Sequence, residues 1–360
     1  MSVATTRLSE AQALDRVAAN AGELDRNPRF PAESLDALAG AGLLAITVPD
    51  SGVPGALPAS REWEAVRAVA KADGSVGRIY DGHLNAVERL ALAAPEPLRS
   101  RELARVLAGE ARLGVWGADP RPAEGEGEPA RLGTGGRVHG AKVFCSGAGG
   151  LDAALVLLKG DVPGPPLLAY VDLTENVEVD RDWYRAAGMR SSESHRVVFH
   201  GAAVLAVLGE PGELGREPWF GRDAIRTASC WAGLVDAVRE EALALLAERV
   251  VDDDLAALSA GRMAAGGATV DALLADAGRR VEDDPDAPVF GMSVALRTAV
   301  AHAARDTVES ALAALGSRPL AVAGRLDRAR RDLEVFLHQH RLDPLLARLG
   351  RQAASGSSRP

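Results

Sequence analysis

Seven histidines and two cysteines are the side chains in this 360-residue sequence best suited to neutral-pH chemistry, so their spacing is weighed first. His338 and His340 stand two apart, about 200° around a helix, and cannot share a face; this excludes a helical two-histidine metal site there. His338 falls four residues after Glu334 and is expected to pair with it on a solvated face. His340 follows Asp332 and Phe336 on the stripe expected to look inward. Cys145 and Cys230 have no base placed by spacing and read as small buried apolar residues; two cysteines make neither a disulfide framework nor a four-cysteine zinc site. Asp252-Asp253-Asp254 lacks the spacing of a calcium loop and reads as a helix start. Arg325, Arg328, Arg330 and Arg331 read as a helix entrance paired with Asp327 and Asp332. No metal site is expected.

The elements that must position these residues follow from composition and periodicity. Lys and Arg total 41 against 50 Asp and Glu, a net charge of −9, and no basic stripe is present to meet nucleic-acid phosphates. With 47% hydrophobic residues the chain can bury a large core, and at about 150 residues per domain its length fits two or three folding units. No apolar run approaches the roughly 20 residues that span a bilayer. Met1 to Asn20 lacks the basic start and apolar stretch of a signal peptide, so a cytoplasmic location is expected.

Apolar residues recur at helical spacing from Ser9 to Leu44, with Pro31 at a helix start and Gly40 and Gly42 at its close. Further helices are expected over 61–72, 79–93 and 97–109. From Leu113 the period changes to near two, giving strands at 113–117, 137–145, 153–158, 167–172, 177–181 and 196–200. Helical periodicity returns at Trp219, with helices at 219–250, 255–281, 288–316 and 326–349. The expected organisation is an N-terminal helical domain (1–112), a central β domain (113–215), a C-terminal helical bundle (216–350) and a disordered tail (351–360). The fold class is α+β, mainly α.

Several segments, in order, resemble the acyl-CoA dehydrogenase superfamily of flavoproteins over about Leu14 to Gly350. They are Phe30-Pro31 with Leu38-Ala39-Gly40-Ala41-Gly42-Leu43-Leu44; Ala72-Asp73-Gly74-Ser75 with His83; Gly140 to Ala148; Gly188-Met189-Arg190-Ser191-Ser192; Val207 to Gly212; and Arg331-Asp332. The resemblance implies N-terminal helices, a central β barrel-like domain and a four-helix bundle, with bound FAD and a homodimer or homotetramer. Three departures stand out. Trp116-Gly117-Ala118-Asp119-Pro120-Arg121 replaces the family's Thr-Glu-Pro flavin loop, with no Gly-Ser after it. Counting nine from Arg331 lands on His340, where the family's dehydrogenases carry a glutamate base. A segment that serves the partner subunit's flavin is deleted between Val251 and Leu255.

On this resemblance Phe144 and Ser146 are flavin contacts, an aromatic edge and a hydroxyl able to reach N5 or O4. Backbone groups of Trp116, Gly117 and Ala118 would meet the flavin ring, and Arg318 of Gly316-Ser317-Arg318 would pair with a phosphate. Registering the helix on Gly233-Leu234 puts Asp223 where the isovaleryl and long-chain branches carry their base. The first functional expectation is therefore dehydrogenation of an acyl thioester by Asp223, with an electron-transfer partner. The second follows the superfamily's flavin monooxygenases: His83, Ser146 and His340 would hydrogen-bond an oxygen adduct of reduced flavin supplied by a partner reductase. The third is a paralogue that has lost flavin and serves as a binding subunit.

Overall fold

The computed structural model describes residues 8–49, 58–160, 164–339 and 341–355. Among these lie eleven helices and seven strands. In chain order they are α1 (Glu10–Arg26), α2 (Ala32–Gly40), α3 (Ala59–Ala72), α4 (Gly74–Ala93), α5 (Leu98–Leu107), β1 (Leu113–Trp116), β2 (Arg131–Gly133), β3 (Arg137–Cys145), β4 (Ala153–Leu158), β5 (Leu167–Asp172), β6 (Val177–Asp180), β7 (His195–Leu208), α6 (Trp219–Leu246), α7 (Asp254–Asp283), α8 (Phe290–Leu315), α9 (Arg318–Ala321), α10 (Arg325–Phe336) and α11 (Leu342–Ala354). No described helix is long and apolar enough to cross a membrane. The chain divides into two compact units, one of 1–57, 78–185 and 190–216, the other of 58–77, 186–189 and 217–360.

The first unit is built around β7. The strand order is β1-β4-β5-β7-β3-β2, and β6 also pairs with β7. Fourteen residues long, β7 carries β5 on its C-terminal half (Leu168 opposite Leu208) and both β3 and β6 on its N-terminal half, where Phe199 faces Gly140 on one side and Val177 on the other. One long strand therefore joins two subsheets, as a barrel-like domain requires. All pairings are antiparallel except β1 with β4. Leu113, Leu155, Leu168, Tyr170 and Leu208 bury their sheet face against Ala86, Val87 and Leu90 of α4 and Val106 of α5. The alternation rule located six strands, but β7 runs well past the expected 200 and β2 was not anticipated. β2 is three residues long, too short to show a period.

The second unit is a helical bundle whose backbones approach closely at small residues. A Cβ on Gly233 of α6 would sit 2.2 Å from the Arg67 carbonyl oxygen of α3. Beside it Asp236 takes two bonds from the Arg67 guanidinium, at 2.6 and 2.9 Å. Trp231 packs edge-on to Phe336, centroids 6.2 Å apart. The Gly-Met-Arg segment docks here too: the buried Asp332 carboxylate of α10 accepts the Met189 N–H, with Met189 at φ 54°.

The expected helix over 326–349 is two helices. α10 ends at Phe336 and α11 begins at Leu342; Pro344, within the first turn of α11, has no N–H to continue a helix from 340. This overturns the helical pairing of His338. Its backbone N–H closes a turn onto Val335, its side chain is exposed, and Glu334 instead takes Arg330 at 2.6 Å. The basic run pairs through Asp327, which holds both Arg330 and Arg331 at 2.8 Å, while Asp332 serves Met189. At the other end of the bundle Asp253 caps α7, accepting from Leu255 and Ala256. α11 extends to Ala354, past the boundary expected at 350.

A Cβ on Gly188 would lie 2.0 Å from the Arg331 carbonyl oxygen, which belongs to backbone and cannot step aside. Gly188→Ala is therefore expected to cost about 3 kcal/mol, the upper end of overpacking penalties, read as a lower urea midpoint.

Candidate functional site

The face around Phe144 originates in one extra residue. Lys142 pairs with Val197 and Cys145 with His195, so Val143 and Phe144 together oppose Arg196 alone: a β-bulge. Phe144 takes φ 53°, a left-handed conformation that is strained for a bulky side chain, and its ring stands 55% exposed while Val143 and Cys145 stay buried. The ring meets Trp183 edge-on, centroids 4.8 Å apart, and Trp183 is anchored by its Nε1–H donating to Glu126 at 2.9 Å.

The bulge also gathers the loop after β1. Val143 N–H, turned out of the β7 ladder, donates to the Ala118 carbonyl at 3.1 Å. Lys142, fully buried, sends its ammonium to Asp119 at 2.7 Å and to the Gly117 carbonyl at 3.3 Å. Burial pulls the Lys142 pKa below its ordinary value, and Asp119, charged opposite it, offsets part of that. Gly117 and Ala118 are exposed with their carbonyls engaged, so an outward contact from this loop would use N–H groups. The Trp116 side chain is core: it is buried, and its Nε1–H donates to the Ser146 carbonyl at 3.0 Å.

Ser146 completes the face. Its N–H closes a tight turn onto the Phe144 carbonyl at 3.0 Å, and its hydroxyl meets that of Ser194 at 2.9 Å. Ser194 in turn meets the hydroxyl of buried Ser192 at 2.8 Å. Ser192 ends a short 3-10 turn and Glu193, between the two serines, takes a left-handed φ of 47°; this turn, not strand alternation, brings the two hydroxyls together ahead of β7. Ser192 and Lys142 stood in the sequence only as members of the quoted motifs, and neither they nor Ser194 and Trp183 were given a role at the site. A flavin fits what is present: an exposed aromatic edge, a half-buried hydroxyl with hydrogen-bonding capacity left, and an exposed loop whose carbonyls point inward. Phe144, Ser146, Gly117 and Ala118 are the residues that would hold it.

The remaining expected residues are placed otherwise. His83 is buried in α4; its Nδ1 accepts the Leu113 N–H at 3.0 Å, so the ring hydrogen is on Nε2, which donates to the Leu44 carbonyl at 2.8 Å. Both nitrogens are spent on backbone, which takes His83 out of the expected trio with Ser146 and His340. Burial is the main cause that lowers its pKa to about 4. Asp223, on α6, accepts from Arg226 at 3.0 Å, and Arg226 is itself buried against Glu62. Arg318 is exposed on the four-residue α9. His340 lies outside the described residues. Cys145 and Cys230 are buried; burial raises the Cys145 thiol well above its usual pKa, and the Cys230 thiol donates to the Gly77 carbonyl at 3.4 Å. No cluster of three metal-binding side chains occurs among the described residues.

A His that folds neutral with its pKa near 4 leaves the unfolded chain binding more protons between pH 6.5 and 4. Its contribution is whole above pH 6.5 and is lost as pH falls through that window, up to about 3 kcal/mol. His83→Ala should be less stable at pH 7 by about 2 kcal/mol, since two buried backbone partners are stranded. The stability gap to the parent should close by pH 4, measured by urea unfolding at both pH values.

Residues 8–110 match the family described as acyl-CoA dehydrogenase, N-terminal domain. A dibenzothiophene monooxygenase of Mycolicibacterium goodii is 31% identical over 218 residues, taking in 53% of this chain and 48% of that protein. The match thus spans about half the length of that curated relative. Among solved structures, FMN-bound TdsC of Paenibacillus sp. A11-2 superposes with a TM-score of 0.83 at 19% identity, covering 96% of both chains. Butyryl-CoA dehydrogenase of Megasphaera elsdenii gives 0.81 at 16% identity, covering 96% of this chain and 98% of that one. Residues 8–110 are therefore similar to that N-terminal domain, and the chain has the acyl-CoA dehydrogenase fold.

Proposed function

We propose that this protein is a flavin-dependent monooxygenase of the acyl-CoA dehydrogenase fold, using reduced FMN or FAD supplied by a separate reductase and acting as a homodimer or homotetramer. The observation that carries this over acyl-thioester dehydrogenation is the pairing of Asp223 with Arg226. A base for the α-proton needs an uncommitted, desolvated carboxylate, and this one is held by a guanidinium three residues along its own helix. The similarity to dibenzothiophene monooxygenase supports the same choice and extends it to substrate: a small aromatic heterocycle.

The electrons that activate oxygen come from reduced flavin when it is bound. This chain's part is to bind and orient. Phe144 offers its ring edge, Ser146 a directional hydroxyl, and the Gly117–Ala118 loop its backbone, all fixed by the bulge before any ligand arrives. Buried His83 keeps α4 against β1 and exchanges no proton at neutral pH. His340 is assigned as the proton donor on its sequence position alone.

The test is oxygen uptake and product formation with reduced FMN and a panel of heterocycles including dibenzothiophene and indole, beside an anaerobic dye-reduction assay with acyl-CoAs. Oxygenated product without dye reduction is expected; dye reduction by an acyl-CoA would overturn the reading. Asp223→Asn should keep at least about half the oxygenation rate, whereas His340→Ala should lose about a hundredfold, the scale of a general acid. Failure of the protein to bind either oxidised or reduced flavin would leave the non-catalytic paralogue as the reading.

A further inference from the structure

Three serine hydroxyls run in line from the exposed face into the first unit. Ser146 is half-buried, Ser194 is 2.9 Å behind it, and Ser192 is 2.8 Å further in with no exposed surface. Three hydroxyls joined by two hydrogen bonds use two of their three hydrogens. If each O–H points outward, Ser192 donates to Ser194, Ser194 to Ser146, and Ser146 has a hydrogen to give. If each is turned inward, Ser146 presents only lone pairs, and the spare hydrogen moves to Ser192, which has a further interaction of its own. Rotation about three C–O bonds converts one arrangement to the other, and no proton leaves the chain.

We propose that Ser194 and Ser192 are positioning residues that let Ser146 reverse its hydrogen-bond polarity with the oxidation state of the bound flavin. The proposal rests on the flavin reading above and takes N5 as the partner of Ser146, one of the two ring atoms, N5 and O4, that its hydroxyl could reach. That nitrogen is an acceptor in oxidised flavin and carries a hydrogen in reduced flavin, so a partner serving both states must both donate and accept. Ser146 alone could accept from reduced flavin only by leaving its own hydrogen stranded under the ligand. An unmet donor is the costlier deficit, because an oxygen has a second lone pair to leave idle. Ser194 takes that hydrogen. Its loss therefore falls on the reduced state more than on the oxidised one.

Among the described residues of this face, Phe144, Trp183 and Lys142 do not do the same work. The Phe144 ring and the Glu126-anchored Trp183 have no reversible donor. The Lys142 ammonium, a donor only, is committed to Asp119 and Gly117. His195 and Glu193 stand at alternate positions to Ser192 and Ser194 and face each other across 3.3 Å.

The experiment measures dissociation constants of the full chain for oxidised FMN, and for dithionite-reduced FMN under anaerobic conditions. In Ser194→Ala the constant for reduced FMN should rise about tenfold more than that for oxidised FMN, with a matching fall in the midpoint potential of the bound flavin. Ser194→Thr, which keeps the hydroxyl, should stay within about twofold of the parent in both states. Ser192→Ala should move the ratio in the same direction by less, and decides the matter if Ser194→Ala does not fold. Equal weakening of both oxidation states, or none, would overturn the relay while leaving the flavin reading intact. A parent protein that binds neither form of FMN would overturn both.

Discussion

Everything on the Phe144 face depends on the extra residue between Lys142 and Cys145. Without the bulge, strand alternation would run unbroken along β3 and Val143 N–H would stay in the ladder with β7. With it, one backbone N–H is released to the Ala118 carbonyl, one aromatic ring is turned out of the sheet, and the next residue of that face, Ser146, is brought into a tight turn beside it. The left-handed conformation of Phe144 costs of order 1–3 kcal/mol, and the surrounding contacts must supply it. They do so from three sides: the Lys142 ammonium below the loop, Trp116 under the Ser146 carbonyl, and the backbone bonds from Gly147 and Ala148 to the 192–193 carbonyls. Strain held in place by so many independent contacts marks a surface fixed in advance, and preorganisation lowers what binding must spend on ordering.

The buried polar groups divide along the same logic. His83, Asp332 and Lys142 lie inside the protein and each is satisfied by backbone or an opposite charge. Removing a charge from water is costly unless its partners are fixed, so such residues are conspicuous in sequence whether or not they do chemistry. The three tie segments far apart in the chain: 44 and 113 through His83, 189 and 332 through Asp332, 117, 119 and 142 through Lys142. Their chemistry has been turned to holding the frame. On the Phe144 face the described outward groups are an aromatic ring and a hydroxyl.

How much of this was legible beforehand follows from what a one-dimensional pattern can carry. Periodicity located most helices and six strands, because a buried stripe repeats at the period of the element that presents it. It failed at β2, too short to repeat, and at the join of α10 and α11, where apolar residues resume at Leu342 although Pro344 ends the possibility of one helix. That Phe144 and Ser146 stand close together was legible from the motif, since the two are only two residues apart. The bulge, however, is a mismatch in count between β3 and β7, some fifty residues away, and no local pattern contains it. Likewise, His83 reads as a reactive group until the Leu44 and Leu113 backbones are placed on its two nitrogens. Asp223 reads as a base until Arg226 is seen to turn toward it.

These two reversals bear on how one fold can serve opposite chemistries. Removing an α-proton demands a carboxylate held out of water with no cation beside it, whereas transferring oxygen from a reduced cofactor demands a dry, shaped face and a donor that leaves the cofactor's own electronics in charge. A change from the first to the second needs no rebuilding of the sheet or the bundle. One arginine turned onto the carboxylate withdraws the base, and the bulge, the ring and the hydroxyls of the Phe144 face can stay as they are. The frame constrains where a flavin could lie, and a few side chains whose partners are chosen locally decide what is done with it.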